Sequence, residues 1–258
     1  MNAISAALPE GVFDAHFHIV DPRFPLVPNN GFVPDAFTAE DYVTQVAPLG
    51  VTGGAVVSGS FQAFDQGYLL AALEKLGPGY VGVTQLPADV PDETIVELDD
   101  AGVRAVRFNL YRGGSAGLSE IDQLARRVHA IAGWHSELYV DAKDLPDLAD
   151  TLRGLPQVTV DHLGMSDDTT GTLLDLVENG LVVKATGFGR MDVSDPEALM
   201  AAIVKANPAG LVFGTDLPST RARVPFQPSD LDRVADAVGA DHVEAVLSTN
   251  GRALYRLP

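Results

Sequence analysis

Two patterns alternate along the chain: short, nearly unbroken apolar runs, and longer stretches with apolar residues at helical spacing. The apolar runs are Val12–His18, Gly54–Ser58, Tyr80–Gln85, Val103–Asn109, Glu137–Asp141, Gln157–His162, Leu181–Thr186 and Leu211–Asp216. Most are valine-rich, as parallel strands buried on both faces require. The segments between them predict helices at Gln66–Leu76, Pro91–Ala101, Ser119–Ala132, Leu145–Leu152, Thr172–Glu178, Pro196–Ala206 and Ser229–Val238. Thr38-Ala39-Glu40-Asp41 opens a further helix with an N-cap and an acidic first turn. Ser119–Ala132 carries Ile121, Leu124, Val128 and Ile131 on one face. A last helix is expected at Asp241–Leu247, before a C-terminal tail.

Strictly alternating β and α segments predict a parallel sheet, and eight pairs within 258 residues predict its closure into one (β/α)8 TIM barrel, a single α/β domain over residues 1–258. The competing architecture is an open doubly wound sheet. Its glycine-rich phosphate turn after the first strand is missing, and His16-Phe17-His18 stands there instead.

Barrel enzymes place their chemistry at the C-terminal ends of the strands, and the candidate residues fall there. His16 and His18 are two apart on a strand and share a face. Two adjacent imidazoles suit metal ligation or carbonyl polarisation. Asp161-His162 ends the sixth run and Gly214-Thr215-Asp216 the eighth. A carboxylate at Asp216 can ligate a metal or take a proton from attacking water. His16, His18, His162 and Asp216 therefore converge on one mouth, as catalytic groups, metal ligands or both. Two long proline- or arginine-bearing loops, Ile19–Phe37 and Leu217–Pro228, follow strands one and eight and belong to the same face. Arg104 and Arg107 point to opposite faces of the fourth strand. A buried arginine needs an anionic partner, so Arg107 is read either as a clamp for a substrate carboxylate or as half of a salt bridge. His129, His135 and His242 lie away from the mouth and are not site candidates.

Composition narrows the partners. The net charge of −18 disfavours nucleic acid and anionic membranes. An anionic substrate would then need local arginines. With no cysteine there is no disulfide, thiolate ligand or cysteine nucleophile, which fits a reducing cytoplasm. Met1–Gly11 shows no signal-peptide pattern, and no apolar run is long enough to span a bilayer. A monomer and a homodimer are equally compatible with the sequence.

His16-x-His18, Asp161-His162-x-Gly164 and Gly214-Thr215-Asp216 together resemble the amidohydrolase superfamily, and more closely its amidohydrolase-2 branch, which holds 2-pyrone-4,6-dicarboxylate lactonase and sugar lactonases. Further segments extend the resemblance over nearly the whole chain: Ala101–Asn109, Leu138–Asp141, Val183–Gly187 and Asn250–Tyr255. It implies hydrolysis of a lactone or similar ester, with Asp216 as general base. His16, His18 and His162 would polarise the carbonyl, directly or through one divalent metal, Zn2+ first among them. The pyrone lactonases are understood to work without metal, so both modes stay open. Ser60, Arg107, Tyr139 and Arg190 fall where that branch places substrate contacts.

Three departures stand out. Phe213, Leu217 and Ser219 replace two tryptophans and a histidine of the eighth motif, and Met165 replaces an arginine, which weighs against a dicarboxylate. The fifth strand offers Tyr139 and Asp141 in place of a metal-bridging lysine or histidine, which weighs against a binuclear centre. Two other readings compete. Metal-dependent nonoxidative decarboxylation usually recruits a histidine from a mid-barrel strand, and none ends the fourth, fifth or seventh run. A catalytically silent barrel used for binding would be expected to lose Asp216 or a strand-end histidine.

Overall fold

The computed structural model describes residue 9, residues 11–113, residue 115 and residues 118–258. Residues 1–8 and 10, most of the segment read as lacking a signal peptide, lie outside the described residues. Eight parallel strands form one sheet in chain order: β1 (Val12–Phe17), β2 (Val51–Val57), β3 (Tyr80–Thr84), β4 (Val103–Asn109), β5 (His135–Tyr139), β6 (Val158–Val160), β7 (Val182–Ala185) and β8 (Leu211–Phe213). The sheet curls into a nearly closed (β/α)8 barrel. No helix among the described residues is long and apolar enough to cross a membrane.

Helices α1 (Ala39–Val46), α2 (Gly67–Leu76), α3 (Asp92–Asp100), α4 (Leu118–Ala132), α5 (Leu145–Gly154), α6 (Thr170–Glu178), α7 (Pro196–Ala206) and α8 (Ser229–Val238) alternate with the strands. Local chemistry sets their starts. Thr38 Oγ1 accepts the Asp41 N–H at 3.2 Å, and the Asp41 carboxylate accepts the Thr38 N–H at 2.8 Å, a reciprocal cap worth about 1 kcal/mol.

Side chains complete the seam between β8 and β1. The buried Asp14 carboxylate accepts the Thr215 N–H at 2.8 Å and the Thr215 hydroxyl at 2.7 Å. Above it, the Asp216 N–H donates to His16 O and the His18 N–H to Leu217 O, both at 2.7 Å. These bonds draw the end of the eighth segment against the first and bring Asp216 beside the two histidines.

The C-terminus departs from the sequence expectation. Instead of a tail after Asp241–Leu247, a π-helical turn, Ala245–Thr249, continues into α9 (Asn250–Leu254). Tyr255 then enters the barrel floor, fully buried among Phe13, Ala15, Val81 and Val212. Its hydroxyl donates to Glu137, with Ala15 O 3.2 Å away.

Candidate active site

His16 lies on β1 and His18 just past its end. The sixth and eighth segments leave the sheet earlier than the apolar pattern implies, at Val160 and Phe213. His162 and Asp216 therefore stand on turns beyond the strands, both in the left-handed region, with φ of 53° and 60°. Such backbone is costly for a side-chain-bearing residue and persists where surrounding contacts over-determine it. Neighbouring glycines make the room. A Cβ at Gly214 would lie 2.7 Å from the His16 Cβ, and one at Gly187 would lie 2.5 Å from His162 Nδ1.

The four side chains converge. Ring centroids of His16 and His18 are 5.1 Å apart, and those of His16 and His162 are 5.0 Å apart. Asp216 Oδ1 lies 3.8 Å from His16 Nε2 and 3.7 Å from His18 Nε2, beyond hydrogen-bond reach. Asp216 Oδ1 and His16 Nε2 are buried with no hydrogen-bond partner among the described residues. The other carboxylate oxygen is held by Arg190, through Nη2 at 2.5 Å and Nε at 2.7 Å. Burial pushes the Asp216 carboxyl up, but Arg190 and His162 outweigh it and hold the group well below the usual carboxylate range. Burial also keeps His16 neutral, lowered to about 4, and His162 far below the ordinary histidine value.

By position this set fits one divalent cation. One ligand atom each of His16, His18 and Asp216 lie within 4.8 Å of one another, and Asp216 Oδ1 is 3.8 and 3.7 Å from the two Nε2 atoms, wider than the roughly 3.3 Å between ligands around a tetrahedral zinc. Val57 O lies 2.7 Å from His18 Nδ1, so that nitrogen carries the proton and Nε2 turns a lone pair inward. A second group, His16, Asp161 and His162, is equally compact. Organic cations already occupy its surroundings: Arg107 Nη2 lies 2.7 Å from Asp161 Oδ2, and Lys184 Nζ lies 3.8 Å from Asp161 Oδ1.

Above these residues opens a narrow pocket. His18, Ser60, Arg107, Tyr139, His162 and Arg190 line it, together with Asn109, Arg112 and Arg221. The structure thus brings Ser60, Arg107, Tyr139 and Arg190 to the mouth. Arg107 is in the salt bridge with Asp161 and also donates to Ser58 O at 2.6 Å, while its Nε has no partner among the described residues. The long loops meet over the cavity. Arg221 Nη1 donates to Asn29 Oδ1 at 3.1 Å, and Asn29 Nδ2 donates to Arg112 O at 3.2 Å. Partial burial, then the nearby charge of Arg112, lowers the Arg221 guanidinium below its ordinary value.

Sequence reasoning missed Arg112 and the interior pair of Lys184 and Glu137, whose charged atoms lie 2.6 Å apart. For Lys184 a visible signal existed, a lone charge inside the apolar run Leu181–Thr186. Its partner, on another strand, was not legible.

Comparison with known proteins agrees with this architecture. The family model described as Amidohydrolase matches residues 13–257. A 2-pyrone-4,6-dicarboxylate hydrolase of Comamonas testosteroni is 31% identical over 241 residues, covering 82% of this chain and 78% of that protein. A 4-sulfomuconolactone hydrolase of Hydrogenophaga intermedia is 27% identical over 238 residues, covering 84% of this chain and 78% of that protein. Among solved structures, an Acinetobacter baumannii protein described as a probable 2-pyrone-4,6-dicarboxylic acid hydrolase, with citric acid bound, superposes with a TM-score of 0.83. It is 22% identical, with 96% of this chain and all of that one covered, a likeness that bears on the fold. The family match runs from the second residue of β1 through β8 and includes all four convergent residues, and this chain belongs to the amidohydrolase family.

Proposed function

We propose that this enzyme hydrolyses a small lactone bearing at least one carboxylate. The observation that carries the reading is the mouth itself. Asp216 Oδ1 and His16 Nε2, 3.8 Å apart and each without a hydrogen-bond partner among the described residues, face one another beneath a pocket lined by Arg107, Arg112, Arg190 and Arg221. Arginine's planar fork matches a carboxylate; Arg107 and Arg190 are paired with Asp161 and Asp216, and the further charges of Arg112 and Arg221 make a local exception to the repulsive field of a chain of net charge −18. The similarity to hydrolases of a pyrone dicarboxylate and a sulfomuconolactone supports an anionic lactone.

In this reading the arginines and Ser60 hold the substrate with its ring carbonyl toward His16 and His162. Asp216 Oδ1 takes a proton from water as the water oxygen bonds to the carbonyl carbon. His16 stabilises the charge that develops on the carbonyl oxygen. The ring C–O bond then breaks, and the leaving oxygen recovers the proton from Asp216. The product is a hydroxy acid or its keto tautomer. Tyr139, stacked on Tyr111 with ring centroids 5.0 Å apart, forms a wall of the cavity. A divalent cation held by His16, His18 and Asp216 would add Lewis-acid polarisation of the carbonyl.

Decarboxylation is less well supported. The mid-barrel histidine, His135, opens β5 at the opposite end from the mouth and faces Glu137 at 3.2 Å.

The test is a panel of lactones with no, one or two carboxylates, followed by proton release. Hydrolysis that requires a carboxylate supports the reading. Preference for neutral lactones, or no hydrolysis across the panel, overturns it.

A further inference from the structure

Lys184 takes no part in the reaction described above, yet it is packed against it. Its ammonium is completely buried on β7. An ammonium has three N–H donors and no lone pair. Three acceptors surround it: Glu137 Oε2 at 2.6 Å, Ala15 O at 3.0 Å and His16 Nδ1 at 3.4 Å. Glu137 is itself fixed by the Tyr255 hydroxyl and faces His135 Nε2 at 3.2 Å. The lysine is therefore pinned from β1, β5 and the C-terminus.

His16 Nδ1 has two neighbours that demand opposite things of it. Lys184 Nζ and Asp161 Oδ1 both lie 3.4 Å away. The lysine can only donate, so it needs a lone pair on Nδ1. The carboxylate can only accept, so it needs a proton there. The geometry favours the lysine: the Lys184 contact has hydrogen-bond geometry, the Asp161 contact is an ion-pair distance only, and Asp161 Oδ1 has no hydrogen-bond partner among the described residues. A proton on Nδ1 would also face the ammonium protons and leave the third donor of Lys184 with only Asp161 Oδ1, 3.8 Å away. A neutral imidazole with its lone pair on Nδ1 carries its proton on Nε2.

We infer that Lys184 is a positioning residue that holds His16 in the Nε2–H tautomer, so that the ring offers a hydrogen-bond donor to the substrate carbonyl and no lone pair to a metal ion. The compact set of His16, His18 and Asp216 then looks like a metal site by position but lacks one ligand lone pair. The catalytic half of this inference rests on the lactonase reading; the tautomer does not.

The test uses the whole chain labelled with 15N-histidine, with the His16 signals identified by their loss in His16→Gln. In the unmodified protein at pH 7.5, long-range 1H–15N spectra are expected to show His16 protonated on Nε2. Lys184→Arg keeps a donor in place and should keep that tautomer. The double variant Lys184→Met/Glu137→Gln removes both charges of the buried pair and leaves Asp161 as the partner of Nδ1. It should move the proton to Nδ1 and tighten Zn2+ or Co2+ binding by about 10- to 100-fold, the scale of a changed hydrogen bond behind a metal ligand. An Nδ1–H tautomer in the unmodified protein overturns the inference, and so does a double variant with unchanged tautomer and metal affinity. If the double variant does not fold, the spectrum of the unmodified protein decides alone. A failed lactone panel beside an Nε2–H His16 would refute the lactonase reading and leave the tautomer standing.

Discussion

Acidification should destabilise this protein well before its surface carboxylates titrate, because its interior histidines are held neutral. Consider a drop from pH 7 to pH 5. Burial lowers His16 from 6.5 to about 4. A histidine with a depressed folded value contributes stability that is fully present above pH 6.5 and is lost as pH falls toward the folded value, because the unfolded chain takes the proton first. Each tenfold loss of proton affinity on folding corresponds to about 1.4 kcal/mol. The full loss from His16 is therefore about 3 kcal/mol, of which about 2 kcal/mol is gone at pH 5. His162 and His135, lowered chiefly by burial, add in the same direction. Asp14 opposes them. Burial raises it to about 6 despite the donors from Thr215, so the folded state gains a proton first and recovers about 1 kcal/mol by pH 5. The histidines outweigh it. The assay is urea unfolding at pH 7, 6 and 5 in about 0.2 M salt, which screens the surface charge. Trp134, the single tryptophan and 1% exposed, reports the transition. Stability should fall monotonically, and His16→Gln should make the fall shallower by about 2 kcal/mol. A flat or rising profile, or an unchanged slope in His16→Gln, would refute the reasoning.

Other predictions concern the mouth. Arg221→Met and Arg112→Met should each raise KM for a carboxylated lactone by about 10-fold or more, with a smaller effect on kcat, since a charged hydrogen bond contributes about 1.5–3 kcal/mol. Equal KM values in steady-state assays would remove these arginines from substrate binding. Gly187→Ala forces a Cβ to within 2.5 Å of His162 Nδ1 at a φ of +66°; activity should drop at least about 10-fold while the fold survives, checked by circular dichroism beside kcat. Hydrolysis should persist after chelation and dialysis if His16 polarises the carbonyl by its own N–H; loss on chelation and recovery with Zn2+ would contradict that.

How much of this was readable in the sequence follows from the range of each signal. The barrel was legible because β4, α7 and α8 follow from local pattern alone, and their bounds match the apolar runs and the helical spacing. The four convergent residues were legible because the barrel fixes where strand ends meet. Strand ends were less so: His162 and Asp216 read as the last residues of strands, yet they sit on left-handed turns held by contacts with β1 and the neighbouring loops. The Lys184–Glu137 pair joins residues 47 positions apart, and the Asp14–Thr215 seam joins residues 201 apart. No local pattern encodes such partners. Tyr255 in the floor depends on a π-helical turn that no residue type announces.

The central claim is that Asp216 activates water in the hydrolysis of a carboxylated lactone. Its most direct test is kcat for Asp216→Asn beside the unmodified enzyme on such a lactone, with substrate affinity measured separately by calorimetry. A fall of at least about 100-fold in kcat with affinity largely retained is the expected result, the usual scale for removing a general base. Turnover close to that of the unmodified enzyme would contradict it.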